Sequence, residues 1–214
     1  MTIGKGTPWG RQIDPPPDLV VVATDAELAA RLEARRRDPA APPVAARAGD
    51  MARTLGVDDI AGRATLNELP IDLLELRIGD RDGDHDDLRT LVGCAHVVMR
   101  RPWWRGGWWR GAVVVVMNAE FIGAWDVAPR GHPNDGRVEV FAVDAELDVR
   151  QRLAASRRLR TATHVPHPLI TTRSVRRASW TFGTSMAIVV DGVRVGRARR
   201  VELDVVPDAA TVLA

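Results

Sequence analysis

Asn118-Ala119-Glu120-Phe121-Ile122-Gly123, followed by Ala128-Pro129 and then Pro133-Asn134-Asp135-Gly136, is the stretch on which the reading of the fold turns. Two apolar, β-branched runs flank it, Gly111–Asn118 and Arg137–Val143, and each reads as a strand. The Pro, Asn, Asp and Gly between them are turn formers, so the segment predicts strand, irregular connection, turn, strand. Working outward, Leu69–Ile78, Leu91–Met99, Ile170–Val175, Ser185–Val190 and Arg200–Val206 are further strand candidates. Only Asp144–Arg158 reads as a helix in that half, which predicts an antiparallel β-sandwich. Toward the N-terminus the pattern changes. Residues 1–18 read as an irregular arm ending in Asp14-Pro15-Pro16-Pro17-Asp18. Leu19–Ala23 is a short buried strand, and Asp25–Arg37 a helix that Asp25 can cap, stopped by Pro39, Pro42 and Pro43. Asp50–Leu55 is a second, short helix closed by Gly56. The fold class is α+β, with a small α/β unit over residues 1–65 and a β-sandwich domain over 66–214.

Composition limits the function classes. The chain has 214 residues, 45% hydrophobic and 27% charged, enough for a real core and unlike a disordered chain. No apolar run approaches the roughly 18 residues of a membrane helix, and Met1–Gly6 lacks the apolar core of a secretory signal. The single cysteine, Cys94, excludes a disulfide scaffold. These features together point to the cytoplasm. Net charge is +2, yet residues 150–200 hold twelve Arg and one acid. Such a basic half suits an anionic partner; it also reads as solvated strand faces in a chain that uses Arg almost in place of Lys.

Three stretches, in order, resemble the bacterial diacylglycerol and sphingosine kinase superfamily of lipid kinases. The 118–136 segment is similar to that family's strand ending in Asn-Gly-x-x-x-Gly, then Ala-Pro, then Asp-Gly. Gly49-Asp50-Met51-Ala52-Arg53-Thr54-Leu55-Gly56 resembles its Gly-Thr-Gly-Asn-Asp-Phe-Ala-Arg-Thr-Leu-Gly loop and helix. Val190-Asp191-Gly192 resembles the Asp-Gly-Glu of a late strand. The resemblance covers about residues 19–214. It implies an α/β domain that holds ATP on a glycine-rich loop, a β-sandwich of lipid-kinase type that closes a lipid cleft, and magnesium-assisted phosphoryl transfer to a lipid hydroxyl. Residues 1–65 then correspond to a truncated remnant of the nucleotide domain, because only 22 residues precede Ala23 where the family has further strand–helix units.

The resemblance also says where each catalytic part should be. The family's Gly-Gly-Asp-Gly-Thr loop falls on Ala23-Thr24-Asp25-Ala26-Glu27, where only Asp25 matches. Glycine lets backbone N–H groups approach phosphate, and alanine obstructs that. Glu27 adds like charge; at about 4 Å and an effective dielectric near 20, each such repulsion costs roughly 4 kcal/mol. In the second loop Arg47 replaces the threonine and Gly49 the asparagine, and Arg47 could offset the loss by pairing with phosphate. The family's general base falls on Val193, which cannot accept a proton. ATP binding, if any, rests on Asp25 and Arg47, and no residue is assigned a catalytic role. Magnesium, by the same carry-over, would take the carboxylate of Asp135 and the backbone carbonyls of His132 and Arg137, oxygen ligands of the kind it prefers.

Other constellations carry less. Trp103, Trp104, Trp108 and Trp109 are interleaved with Arg101, Arg105 and Arg110. They suit a membrane interface or a protein partner, and equally a hairpin whose tryptophans alternate between core and rim. Asp80, Asp82, Asp84, Asp86 and Asp87 read as an acidic turn rather than a calcium loop, because glycine is at the fourth position instead of the sixth and Leu91 stands where the closing Glu should be. His164-Val165-Pro166-His167-Pro168 lacks a third metal ligand and reads as a stiff loop. The sequence thus predicts a lipid-kinase-like protein with impaired catalysis that acts as a lipid- or partner-binding module, its partners a lipid, a membrane surface, a protein or a second copy of itself. The alternatives are an active ATP-dependent kinase of a diacylglycerol-like hydroxyl, and an Arg-rich nucleic-acid binder.

Overall fold

The computed structural model describes residues 8–57, 60–80 and 88–214. In chain order the elements are β1 (Arg11–Ile13), β2 (Val20–Val22), α1 (Asp25–Arg37), β3 (Val44–Ala46), α2 (Asp50–Thr54), β4 (Leu66–Gly79), β5 (Arg89–Gly93), β6 (His96–Arg100), β7 (Val113–Met117), β8 (Phe121–Ile122), β9 (Trp125–Asp126), β10 (Val138–Val143), α3 (Val149–Arg158), β11 (Ile170–Val175), β12 (Arg177–Val190) and β13 (Val193–Leu213). The main sheet runs β1-β4-β13-β12-β6-β7-β10-β11, with each neighbouring pair antiparallel. β5 adds to β4. β2 and β3 pair in parallel, and β3 joins the sheet where Ala45 meets Leu213.

The long strands make one sheet serve as two layers. β6 and β7 send alternate side chains to opposite faces. Val97, Met99, Val114 and Val116 enter one apolar cluster with Leu76, Ile188 and Leu203. Val98, Val113, Val115 and Met117 enter another with Phe141. Among the described residues no helix residue enters the first cluster, and the sheet curls over to cover that face itself. This is why Val113–Met117 is apolar throughout, with both of its faces buried. A third cluster packs Leu28, Leu32 and Met51 of the helices on Ile71 and Leu73 of β4, fixing the α/β unit on the sheet.

The structure departs from the sequence-based expectation in definite places. Leu91–Met99 is two strands, broken at Cys94-Ala95. β12 and β13 far exceed the runs 185–190 and 200–206. The exposed positions of β12 are mostly Ser, Thr and Gly and those of β13 mostly Arg, and pairing irregularities at 181–186 and 206–210, the second at Pro207, interrupt the apolar alternation that marks a strand. α3 starts at Val149 rather than Asp144, because Asp148 and Gln151 form a reciprocal cap there. Thr24, not Asp25, caps α1. The N-terminal arm is not wholly irregular, since β1 pairs with β4. Residues 81–87 of the acidic turn lie outside the described residues.

Candidate functional site

The three stretches quoted for the resemblance converge. Asp25, at the first turn of α1, reaches across to α2 and accepts the N–H groups of Asp50 (2.8 Å) and Met51 (2.9 Å). Gly49 makes the approach possible. Its φ is +108°, and a Cβ there would lie 2.5 Å from the Asp25 carboxylate. From α2, Asp50 Oδ1 accepts the Gly123 N–H (2.7 Å), Thr54 Oγ1 accepts the Glu120 N–H (2.9 Å), and Arg53 donates to the Gly123 carbonyl (2.6 Å). The Arg53 guanidinium also lies 3.8 Å above the Phe121 ring. The 49–56 segment is thus fastened to the 118–123 segment.

The third stretch supplies the floor. Asp191 and Gly192 both have positive φ and form the tight turn between β12 and β13. The buried Asp191 carboxylate accepts three backbone N–H groups, from Cys94 (2.8 Å), Ala95 (2.9 Å) and His96 (2.9 Å). That is the physical reason the chain breaks between β5 and β6: the N–H groups bond a side chain instead of a neighbouring strand. Burial pushes the Asp191 carboxyl above its ordinary range, against those stabilising hydrogen bonds. The turn aims His96 at Asp50, with Nδ1 3.5 Å from Asp50 Oδ2. Burial raises Asp50 as well. The ligand atoms of Asp25, Asp50 and His96 lie within 4.8 Å of one another. This set suits magnesium poorly, because imidazole is not its preferred ligand.

The Asp135 turn is a second polar centre. Asp135 Oδ1 accepts the Arg137 N–H (2.9 Å), and His132 Nδ1 accepts the Asn134 N–H (3.2 Å). The Arg137 guanidinium donates to Ser174. Fully buried Asp72 holds the turn by accepting the N–H groups of Gly136 (2.7 Å) and Asp208 (2.9 Å), while its own N–H donates to Pro133 O. Burial, with Asp135 and Asp208 nearby, pushes the Asp72 carboxyl up to about 6. Asn118 links the two centres, donating to the carbonyls of Asp72 (3.0 Å) and Cys94 (2.7 Å). The sequence reading missed Asp72 and His96, which carry no motif of their own.

The corner expected to hold phosphate is occupied differently. The Thr24 hydroxyl accepts the Glu27 N–H (3.2 Å), and Asp25 and Glu27 place two acids in the first turn of α1. Arg47 is exposed beyond β3, where its backbone N–H donates to Val22. Val193 is 52% exposed.

Beside this polar region lies an apolar pocket of about 130 Å³. Its floor is Val115 and Phe141, and its walls include Trp108, Trp125, Leu147 and Leu159. The β8–β9 hairpin separates the two: Gly123 bonds Asp50, and Ile122 and Trp125 line the pocket. Arg152 of α3 ties the pocket together, donating to the carbonyls of Leu147, Trp108, Gly111 and Asp144 at 2.5–3.0 Å. The tryptophan run is not a strand hairpin. Residues 103–105 form a 3-10 turn, so Trp103 (75%), Trp104 (49%) and Trp109 (45%) are all exposed while Trp108 turns inward. Among the described residues no helix is long and apolar enough to cross a membrane.

No family model and no curated protein matches the sequence. Solved structures do match. Two solved structures of a provisionally described diacylglycerol kinase of Bacillus anthracis str. Sterne superpose with TM-scores of 0.61 at 14% identity, covering 91% of this chain and 78% or 77% of theirs. A further diacylglycerol kinase structure from the same organism gives 0.57 at 14% identity, covering 91% of this chain and 75% of its own. The chain therefore has a diacylglycerol-kinase-like, lipid-kinase fold.

Proposed function

We propose that this diacylglycerol-kinase-like protein binds a lipid and does not transfer phosphate to it efficiently. The observation that carries the reading is the pairing of an apolar pocket with a phosphate corner built from Ala23–Glu27. That corner turns the Asp25 carboxylate onto α2, leaves Glu27 exposed as like charge, spends the Glu27 N–H on Thr24, and has no glycine among Ala23–Glu27 to admit a polyanion. Val193 at the position of the base points the same way. Residues 1–65 then serve as a remnant of a nucleotide domain packed on the lipid-binding sheet of residues 66–214. Magnesium at the 132–137 turn would use the Asp135 carboxylate and the carbonyls of His132 and Arg137. Asp135 and Asp208 both act electrostatically on the buried Asp72, and a cation there would offset that charge. The protein docks on anionic membrane through Trp103, Trp104 and Trp109. Arg194 and Arg197 lie 5.7 and 5.6 Å from the Trp104 ring and add positive charge there. Co-sedimentation with phosphatidylglycerol vesicles, without labelled product from radioactive ATP and diacylglycerol, is the expected result. Turnover well above background overturns the loss of catalysis. Absence of vesicle binding overturns the docking surface, and formation of a stable dimer that hides the tryptophans assigns that surface to a second copy.

One observation favours a working kinase: Asp50, raised by burial, sits 3.5 Å from His96 and could act as a base in place of residue 193. In that case phosphorylated lipid forms and Asp50→Asn abolishes it.

A further inference from the structure

Among the described residues lining the apolar pocket, one has polar side-chain atoms that are buried with no bond made. Among the described lining residues, Arg152 commits its guanidinium to four carbonyls and Ser156 donates its hydroxyl to Leu153 O. His164 is 4% exposed, and neither ring nitrogen has a hydrogen-bond partner. Its ring lies 5.6 Å from that of Phe141 on the pocket floor. Asp126 sits between the lining residues Trp125 and Val127, and its Oδ1 is likewise buried without a partner. The Asp126 charge acts on His164, while burial outweighs it and favours the neutral ring. Burying two ring nitrogens unbonded is costly, and a chain selected for stability alone would place a phenylalanine there.

A neutral imidazole offers one N–H donor and one bare nitrogen acceptor, and the carboxylate offers a further acceptor. A hydroxyl both accepts and donates, so it can bond a ring nitrogen of His164 where a methylene bonds neither. The geometry points to His164 as the specificity-determining residue of this pocket, selecting an aliphatic chain that carries a hydroxyl on its buried portion over a plain hydrocarbon chain. This rests on the reading of the pocket as a lipid site, and it adds which lipids the site prefers. The preference comes from a buried hydrogen bond that a plain chain leaves unmade.

The test uses the full chain and two probes that differ by one hydroxyl, dodecanoate and 12-hydroxydodecanoate, titrated calorimetrically. Wild type should bind the hydroxylated probe roughly tenfold more tightly. His164→Phe should lose that preference without losing dodecanoate binding, and His164→Gln should keep part of it. His164→Phe should also melt higher than wild type, because it removes an unsatisfied polar group; a lower melting temperature counts against the proposal. Equal binding of the two probes by wild type, or an unchanged preference in His164→Phe, overturns the role of His164 and leaves the lipid pocket standing. If neither probe binds folded wild type, both the pocket reading and the inference fall.

Discussion

The polar centre around Asp25, Asp50 and His96 and the apolar pocket behind the β8–β9 hairpin are neighbours, but different forces build them. The first is a web of carboxylates holding backbone N–H groups at breaks in the sheet. The second is a sheet face and a helix held apart by tryptophans and one buried arginine. The web needs particular atoms at particular places, so single residues carry it. The pocket needs only apolar bulk and a brace, so many sequences could supply it. Catalysis in a lipid kinase would require both regions, whereas binding requires the second alone.

The largest effect tests the web. Asp191→Ala leaves the N–H groups of Cys94, Ala95 and His96 buried without an acceptor and should cost about 3–5 kcal/mol in chemical denaturation. A loss below about 1 kcal/mol would mean those N–H groups reach water. The next tests the pocket. Arg152→Met abandons four carbonyls and should cost about 2–4 kcal/mol, with probe binding in the pocket lost in the same variant. Full affinity in a destabilised Arg152→Met would show that the pocket stands without its brace.

The third turns on pH. Asp72 has a folded value of about 6, above its unfolded value, so the folded state holds the proton more tightly. Its contribution to stability is therefore greatest in acid and falls as pH rises from about 4 through 6. Asp72→Asn should remove this dependence: the melting temperature of wild type relative to the variant should fall by several degrees between pH 4 and 7, at about 2–4 °C per kcal/mol for a chain of this size. A difference that does not change with pH would mean Asp72 is not strained by burial. The smallest effect on stability lies outside both regions. Trp103→Ser with Trp104→Ser should change stability by no more than about 0.5 kcal/mol, since both rings are exposed, yet weaken binding to phosphatidylglycerol vesicles severalfold. Unchanged vesicle binding removes the docking surface.

The same contrast explains what the sequence made legible. The helix Asp25–Arg37, the strand Ile170–Val175 and the short helix at Asp50 follow local rules of period, capping and punctuation, and they stand where those rules put them. The lipid-kinase-like fold was readable from three ordered motifs. Their convergence was not, because Asp50 meets Gly123, and Asp191 meets Cys94, over separations of 73 and 97 residues. Asp72 and His96 were missed for a related reason: each lies in an ordinary strand, and burial alone makes it chemically distinct. β12 and β13 were underestimated because bulges, with small polar residues on β12 and arginines on β13, disguise strands whose pairing is set by their neighbours. Of the two readings left open for the tryptophan run, the strand hairpin fails because the left-handed Gly106 and Gly107 fold the run into a compact turn.

The most direct test of the central claim, that lipid binding persists where the phosphate corner has closed, is calorimetric titration of the full chain with magnesium and ATP in the presence of a bound lipid probe. The account predicts no saturable heat into the millimolar range while the lipid stays bound. Saturable binding in the micromolar range would contradict it and return the chain to the working kinases.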